Sequence, residues 1–269
     1  MKKIAVLGPK NTYSDLCHIA FNQLTHQNIS PIYYQNVKDV LLGGKSLGYA
    51  ILPIENTLEG YVQPHMDLLF SCGLSIDAEI KLPIEFNYVY KKDAKHIYVQ
   101  YVTKNQCILF LDKNTDKKII LTDSNVESYH AYLSDHEGAA IVPKHLVKES
   151  DLSIPNVSDE LDNYTRFLIL KGTPHELKIY KENEPYKVSL VVTPKEDRPG
   201  LLYGILEAFK EANINLISIM SRPTKKKMGT YHFFLEFMVN LDKNHVVNEV
   251  LSNLKSSFEI KVLGMYQML

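Results

Sequence analysis

Two loops of the chain carry hydroxyl and amide side chains where an apolar strand gives way to an amphipathic helix. They span residues 8–14 (Gly-Pro-Lys-Asn-Thr-Tyr-Ser) and residues 53–60 (Pro-Ile-Glu-Asn-Thr-Leu-Glu-Gly). Backbone N–H groups at a helix start have no partner inside the helix and can hold anions, and hydroxyl groups add further donors. Capping by Ser14 or Asn56 explains either loop alone. Two such loops together favour an anion site as much as they favour capping.

A third segment, residues 163–167, reads Asn-Tyr-Thr-Arg-Phe and enters an apolar strand. Thr is common in strands, so Thr165 by itself indicates only β-structure. The chain has only three arginines, Arg166, Arg198 and Arg222, and otherwise uses lysine as its strong base. Arginine is selected where the geometry of its planar fork matters. The pattern therefore favours specific roles for these arginines, with structural salt bridges or chance as the alternative.

The elements that must position these groups alternate over the first 70 residues. Strands are predicted at residues 4–7, 32–34 and 49–52, and helices at residues 16–24, 37–42 and 66–70. This β-α-β-α-β order predicts a parallel sheet with helices on its faces. Ligands of such sheets bind where strands end and helices begin, which is where both loops lie.

The middle of the chain changes character and then repeats the α/β pattern. Period-2 alternation occurs in residues 81–90 and 97–102, followed by a helix at 106–111, a strand at 119–121, a helix at 124–133, a strand at 139–142 and a return through 161–170. Two α/β lobes joined by extended crossings are expected to enclose a cleft. Such a cleft suits a small ligand.

The last third reads as a further domain after a polar linker at residues 172–185. Strands are predicted at residues 186–192, 214–220, 230–239 and 258–263, and helices from a turn at 197–200 to residue 212 and at 246–254. The order βαββαβ is the ferredoxin-like arrangement. We expect this domain to sense a small molecule.

Composition and charge narrow the class of protein. The 269 residues carry a formal net charge of -1, so no basic field favours nucleic acid or an anionic membrane. Cys17, Cys72 and Cys107 form no CxxC pair and have apolar neighbours, which predicts buried free thiols in a reducing compartment. The apolar run near the start ends at residue 8, too early for an export signal. The histidines show no metal-ligand spacing. We therefore expect a cytoplasmic protein without a metal.

These segments, in this order, resemble the monofunctional prephenate dehydratases with a C-terminal ACT domain, over nearly the whole chain. The segments that carry the resemblance are residues 8–14, 53–60 and 163–167, then 198–203 (Arg-Pro-Gly-Leu-Leu-Tyr), 221–223 (Ser-Arg-Pro) and 262–266 (Val-Leu-Gly-Met-Tyr). The resemblance implies a two-lobed catalytic domain similar to type II periplasmic binding proteins, at residues 1–178 with the second lobe at roughly 81–160. It also implies an ACT regulatory domain at residues 185–269.

The implied reaction belongs to L-phenylalanine biosynthesis: prephenate loses carbon dioxide and its ring hydroxyl to give phenylpyruvate. The resemblance implies no cofactor. Thr165 would hydrogen-bond the leaving hydroxyl, and Glu55 is either a proton donor whose pKa is raised by burial or a structural carboxylate. The residues expected to bind substrate are Thr12, Tyr13, Ser14, Asn56, Thr57, Ser124, Asn163, Arg166 and Phe167. Arg166 either pairs with a substrate carboxylate or braces the cleft.

The ACT resemblance implies feedback regulation by L-phenylalanine, bound between subunits of a homodimer or homotetramer. The effector residues would be Gly200, Leu201, Leu202, Tyr203, Met220, Ser221, Arg222 and Pro223. The chain departs from the family pattern at three places. Asn11 replaces a glycine, residues 124–126 (Ser-Asn-Val) replace Ser-Thr-Ala, and Met220 replaces a glutamate. The last departure puts the strength of regulation in question.

Other functions remain open at this point. Arogenate dehydratase would use the same chemistry on an aminated substrate. A non-enzymatic small-molecule-binding regulatory protein could use the same scaffold, because a fold does not fix a function. The sequence shows no helix-turn-helix segment or basic face of a transcription regulator.

Overall fold

A computed structural model describes residues 2–172, 178–196, 198–226 and 228–269 of the chain. Within these residues the strands form one sheet of ten strands and one of five. The predicted fold class is confirmed, with α/β lobes followed by a βαββαβ unit. Part of the predicted linker, residues 173–177, lies outside the described residues, as do residue 197 of the predicted turn and residue 227.

The first lobe is built around a mixed sheet in the strand order β2-β1-β3-β11-β5. Its elements are β1 (Lys3–Leu7), α1 (Tyr13–Thr25), β2 (Ser30–Tyr34), α2 (Val37–Leu47), β3 (Tyr49–Asn56), β4 (Gly60–Tyr61), α3 (Gln63–Ser71) and β5 (Ser75–Pro83). Strands β1, β2 and β3 are parallel, as predicted. Strand β11, which returns from the second lobe, enters antiparallel between β3 and β5.

The second lobe is a five-stranded sheet in the order β10-β6-β9-β7-β8. Its elements are β6 (Phe86–Tyr90), β7 (His96–Gln100), α4 (Tyr101–Asn105), α5 (Ile108–Leu111), β8 (Lys118–Thr122), α6 (Asn125–Ser134), β9 (Gly138–Pro143) and β10 (Ser153–Ile154), and β11 (Tyr164–Lys171) leads back. The strand predicted at 97–102 ends earlier, because the Gln100 side chain accepts hydrogen bonds from the N–H groups of Val102 and Thr103 and starts α4. The helix predicted at 106–111 is shorter than expected and covers only Ile108–Leu111 as α5.

The carboxyl-terminal domain has the predicted βαββαβ order. Its elements are β12 (Tyr186–Pro194), α7 (Leu201–Glu211), β13 (Leu216–Pro223), β14 (Tyr231–Val239), α8 (Asn244–Leu254) and β15 (Phe258–Met268). Its sheet is not separate, however, because β15 extends to Met268 and pairs in parallel with β5 of the first lobe. Gly264 permits this contact, since a Cβ there would lie 2.6 Å from the carbonyl oxygen of Ile76. The two domains therefore share one sheet.

The hydrophobic core also crosses the boundary between the domains. Buried residues of the first lobe, such as Leu52 and Leu168, belong to the same cluster as Val191, Phe234 and Tyr266 of the carboxyl-terminal domain. The helices α7 and α8 cover the other face of that domain's sheet over a core of their own. The face of this sheet that α7 and α8 leave uncovered thus packs on the first lobe. The predicted buried free thiols are confirmed at Cys17, Cys72 and Cys107.

Candidate functional site

A cavity of about 290 Å³ lies between the two lobes, and residues of the loops at 8–14 and 53–60 line it. Its lining residues are Leu7, Gly8, Asn11, Thr12, Tyr13, Ser14, Pro53, Gln100, Asp123, Ser124, Asn125, Val126, Pro143, Thr165 and Phe167. Two helices, α1 and α6, begin at its wall. Among these described lining residues none is Lys, Arg or His. Any anion in the cavity must therefore be held by N–H and O–H groups.

The first loop presents the start of α1 to the cavity without a side-chain cap. Thr12 occupies the N-cap position, but its hydroxyl donates to the carbonyl of Leu7 at 3.2 Å. The N–H groups of the first helical turn consequently keep their capacity to bind an anion. Asn11 adopts φ 67°, the left-handed conformation that the glycine of the family pattern would reach easily. Asp15 holds this turn, because its carboxylate accepts from the Asn11 N–H at 2.8 Å.

Two side chains of this region tie the lobes together. The hydroxyl of Tyr13 donates to the carbonyl of Glu85 in the second-lobe segment at 3.3 Å, and burial raises the pKa of Tyr13. His145 lies 2.9 Å from the Asn11 carbonyl through its Nε2 atom, and burial lowers the pKa of His145. A neutral imidazole with its proton on Nε2 can donate that hydrogen bond. The contacts therefore join the start of α1 to the second lobe.

On the wall of the cavity formed by β11 and β3, an amide contacts the Thr165 hydroxyl. The Asn56 side-chain N–H₂ donates to Thr165 Oγ1 at 3.1 Å and to Asn163 Oδ1 at 2.8 Å. The other end of the Asn56 amide accepts from the N–H groups of Leu58 and Glu59, which fixes the orientation of the amide. Thr165 therefore receives a hydrogen bond at its oxygen, and its own proton is available to the cavity.

The amide chain continues into the second lobe. Asn163 is fully buried, and its amide donates to Gln106 Oε1 at 2.8 Å. Gln106 is itself buried and lines a second cavity of about 580 Å³. Gln106 is not among the residues expected at the site, because its contact with Asn163 joins positions 57 residues apart. No local pattern marks it.

The second cavity continues the first and completes the cleft. Both are lined by Tyr13, Gln100, Asn125 and Thr165. The remaining lining residues of the second cavity are Asn56, Glu59, Gly60, Tyr61, Val62, Gln63, Pro64, Ile84, Phe86, Val102, Thr103 and Gln106. The loop at residues 53–60 thus borders the cleft as expected, but it forms the turn of the β3–β4 hairpin rather than leading directly into a helix.

Among the other expected substrate residues, Thr12, Tyr13, Ser14, Ser124 and Phe167 line the first cavity. The Ser124 side chain accepts from the N–H of the residue three positions later and so caps α6. Two expected residues have structural contacts instead. Thr57 is exposed and exchanges hydrogen bonds with the backbone of Tyr164. Asn163 lies behind Asn56.

Glu55 and Arg166 require a correction, because neither side chain lines either cavity. They face each other in the register of β3 and β11, on the side opposite Thr165. Arg166 Nη1 lies 2.5 Å from Glu55 Oε2. The expectation that Glu55 donates a proton to substrate, or that Arg166 pairs with a substrate carboxylate, does not fit this placement. The alternative expectations of a structural carboxylate and a bracing arginine do.

Arg166 is the centre of a cluster of buried charges at the seam between the domains. Its Nη2 atom lies 2.8 Å from Glu79 of β5 and 3.0 Å from Glu236 of β14. Lys187 of β12 also pairs with Glu79, at 2.7 Å. Burial acts to raise the pKa of Glu236, but the charges of Arg166 and Lys187 outweigh it and hold that pKa below its usual range. The cluster thus links three acidic side chains, Glu55, Glu79 and Glu236, to two basic ones, Arg166 and Lys187.

The expected effector residues divide between two sides of the carboxyl-terminal sheet. Gly200 adopts φ 83° before α7, where Leu201, Leu202 and Tyr203 follow, and Tyr203 is exposed. In β13 the exposed residues Ser221 and Pro223 alternate with half-buried Met220 and Arg222. Met220 packs against the core shared with the first lobe. Arg222 donates to both Asp67 carboxylate oxygens of α3 at 3.0 Å and is therefore tied to the first lobe.

Two further properties concern the described residues only. No cluster of three or more His, Cys, Asp or Glu side chains in the described ranges could hold a metal ion. In the same ranges, every helix is too short or too polar to cross a bilayer.

Comparison with known proteins gives matches along the whole chain. The family model described as prephenate dehydratase matches residues 4–175, and the ACT domain model matches residues 195–254. A prephenate dehydratase of Methanocaldococcus jannaschii is 34% identical over 98% of both chains. The bifunctional chorismate mutase/prephenate dehydratase of Aquifex aeolicus is 30% identical over 98% of this chain and 73% of its own length.

Among solved structures, a prephenate dehydratase from Arthrobacter aurescens in complex with L-Phe superposes with a TM-score of 0.81. The two chains are 26% identical, and the match covers 98% of this chain and 90% of the other. The likeness therefore includes both lobes and the carboxyl-terminal domain.

Proposed function

Because the chain belongs to the prephenate dehydratase family, we propose that its cleft converts prephenate to phenylpyruvate, carbon dioxide and water. The chain is a lyase of that family and carries an ACT domain. The observation that carries the proposal is the cavity in which Thr165 faces the starts of α1 and α6, with Asn56 of the adjoining second cavity hydrogen-bonded to the Thr165 hydroxyl. We propose that this reaction serves L-phenylalanine biosynthesis.

Two helix starts without a lysine, arginine or histidine beside them in the cavity lining support a substrate with two carboxylates. The first turns of α1 and α6 both border the 290 Å³ cavity, and each supplies N–H groups and a positive helix end. Ser14 adds a hydroxyl at one wall and Asn125 an amide at the other. Neutral donors suit this reaction, because one carboxylate must leave as carbon dioxide. A tight ion pair with a lysine or arginine would oppose that loss.

Thr165 is the group we assign to the leaving hydroxyl. When the ring C–O bond breaks, the electron pair of the departing carboxylate's C–C bond enters the ring, and the oxygen leaves as hydroxide that takes up a proton to become water. The Asn56 amide occupies an acceptor position of Thr165 Oγ1, so the threonine O–H can point to the departing oxygen. A threonine is a weak acid, and its contribution is a hydrogen bond that strengthens as negative charge develops.

The test is incubation of the purified full chain with prephenate at neutral pH while phenylpyruvate is followed by its absorbance in base. We expect enzyme-dependent formation of phenylpyruvate. A parallel reaction with arogenate, read out as phenylalanine, measures preference between the two substrates. Absence of product from both substrates would contradict the proposal and favour a binding protein on the same scaffold.

We also propose that L-phenylalanine regulates the enzyme at the helix-covered side of the ACT domain. Support comes from the similar dehydratase solved in complex with L-Phe and from the turn at Gly200 that precedes α7. Tyr203 and Ser221 are exposed on that domain, whereas Met220 and Arg222 are engaged with the first lobe. We therefore place the effector contacts at residues 200–203, Ser221 and Pro223. A calorimetric titration without heat of binding would remove this proposal.

We further propose that the ACT domain pairs with a second copy of the chain, as a dimer or as part of a tetramer. The exposed apolar side chains of β13, Ile217 and Ile219, and of α7, Leu202 and Leu206, support a contact surface there. Light scattering after gel filtration tests it, and a monomeric mass would contradict it. The three buried free thiols support a location in the reducing cytoplasm, and cell fractionation can test this location.

A further inference from the structure

One residue of the ACT domain reaches both parts of the dehydratase site. Glu236 lies in β14 and its carboxylate is buried at the seam between the domains. Oε1 and Oε2 accept hydrogen bonds from Arg166 Nη2 at 3.1 and 3.0 Å. Oε2 also accepts from the hydroxyl of Tyr61 at 3.1 Å. Both partners belong to the catalytic domain.

The first route from Glu236 leads to Thr165 through Arg166. Thr165 and Arg166 are neighbours in β11, and the register of β11 with β3 shifts between Arg166 and Phe167. A bulge of this kind re-aims the side chains beside it and requires fixed neighbours to hold its geometry. Arg166 is held by carboxylates from three strands, Glu55 of β3, Glu79 of β5 and Glu236 of β14. Only Glu236 among these comes from the ACT domain.

The second route leads to Asn56 through Tyr61. Tyr61 lines the 580 Å³ cavity and pairs with Glu55 in the β3–β4 hairpin, whose other pair is Asn56 with Gly60. Its hydroxyl lies 2.8 Å from Ser218 Oγ and 3.1 Å from Glu236 Oε2, two acceptors that share its single proton, and it accepts from Arg166 at 3.2 Å. Burial, with the adjacent Glu236 charge, raises the pKa of Tyr61 to about 12, so the hydroxyl keeps its proton at neutral pH. The hairpin that carries Asn56 is thus fastened to the ACT sheet.

We propose that Glu236 is a positioning residue for the dehydratase reaction, because it fixes Arg166 and Tyr61 and through them the Thr165–Asn56 pair. The inference rests on the proposed function. It makes the ACT domain part of the catalytic framework as well as a candidate regulatory unit. A shift of the ACT sheet that moves Glu236 would then change the aim of Thr165.

Ser189 and Tyr266 support the carboxylate from the ACT side. The Ser189 hydroxyl donates to Glu236 Oε1 at 2.8 Å, and Tyr266 lies within 2.7 Å of Ser189. Contacts within the ACT domain therefore hold the Glu236 carboxylate in place independently of Arg166. Fixed placement is what a positioning residue needs, since a displacement of about 1 Å can reduce turnover strongly.

The experiment compares steady-state kinetics of the full-length wild type, Glu236→Gln and the control Glu259→Gln. Glu259 is an exposed glutamate in β15 of the same sheet. Glu236→Gln keeps the size of the side chain but replaces one acceptor oxygen with an N–H₂ group that faces Arg166 or Tyr61. We expect kcat, corrected for the folded fraction, to fall about tenfold while KM for prephenate stays nearly constant. Glu259→Gln should match the wild type.

Tyr61→Phe gives a second measurement that does not alter a buried charge. We expect its effect on kcat to be non-additive with Glu236→Gln, because both changes release the same hairpin. A loss of thermal stability in Glu236→Gln with unchanged kcat would overturn the inference and leave only a structural role. A wild type without turnover overturns the proposed function and the inference with it. An active wild type with an equally active Glu236→Gln overturns the inference alone.

Discussion

Thr165 and Arg166 are neighbours in strand β11, yet their side chains enter different environments. Thr165 borders the cleft, where hydroxyl and amide groups predominate and no cation lines the described walls. Arg166 enters a buried cluster in which three acidic and two basic side chains from both domains form ion pairs. In the proposed reaction, neutral donors can hold a substrate that must lose a carboxylate. Buried charges instead fix one domain against the other.

The largest expected effect is a loss of stability when the Arg166 side of β11 is changed. Arg166→Met removes the cation that compensates Glu79 and Glu236, and Glu79 is fully buried. Leaving buried carboxylates without their partner costs about 3–5 kcal/mol. Urea denaturation should show this loss in the free energy of unfolding. As a matched control, Lys144→Met breaks an exposed pair with Glu85, and the change should stay below about 1 kcal/mol. Equal losses in the two variants would contradict the distinction.

A smaller effect is expected at the amide chain behind the cleft. Asn163→Leu deprives Asn56 and Gln106 of their buried partner and should cost about 1–3 kcal/mol of stability. It should also lower kcat, because the Asn56 amide loses one of its supports. Asn87→Leu provides the control, since Asn87 is buried in β6 and accepts from the Asn156 N–H away from the cleft. The control should lose stability without losing kcat. A loss of kcat in both Asn163→Leu and Asn87→Leu would contradict a specific role of the amide chain in catalysis.

The smallest effect concerns the second ion pair between the domains. Hydrogen bonds from Arg222 lower the pKa of Asp67, and Lys225 adds to the shift. A carboxyl with a folded-state pKa below its unfolded value of about 3.9 stabilises the fold fully above that pH and loses its contribution as pH falls through the folded pKa. Asp67→Asn should therefore cost about 1 kcal/mol at pH 7 and less at pH 3. Unfolding curves at both pH values measure this, and a difference that grows at low pH would contradict it.

The sequence predicted the segments that border the cleft but not the separation of Thr165 from Arg166, which strand geometry explains. The loops at residues 8–14 and 53–60 and the segment at 163–167 carry most of the residues expected to bind substrate, and Asn56 does contact Thr165. Side chains alternate along a strand, so Arg166 cannot share the face of Thr165. The same rule, applied to Glu55 beside Asn56, places Glu55 away from the cleft. The two-residue alternation of side chains along a strand could therefore have placed Glu55 and Arg166 outside the cleft from the sequence alone.

The partners of Arg166 could not be predicted from the sequence. Glu79 and Glu236 lie 87 and 70 positions away from Arg166. Glu79 meets Arg166 because β5 pairs with β11, and Glu236 meets it because β15 pairs with β5 and so brings the carboxyl-terminal strands into the same sheet. The predicted strand at 258–263 stopped short of this pairing. Gln106 escaped notice for the same reason, since one long-range hydrogen bond gives it its place. Local patterns predict elements and faces, whereas contacts between distant strands depend on the assembled fold.

The most direct test of the account is Thr165→Val, which removes the hydroxyl and keeps the branched shape. Its kcat with prephenate and its free energy of unfolding should be measured beside those of the wild type and of Thr165→Ser. The account predicts that kcat falls about 100-fold or more, with stability nearly unchanged and with partial activity in Thr165→Ser. Full turnover by a folded Thr165→Val variant would contradict the assignment of the cleft face to the chemistry.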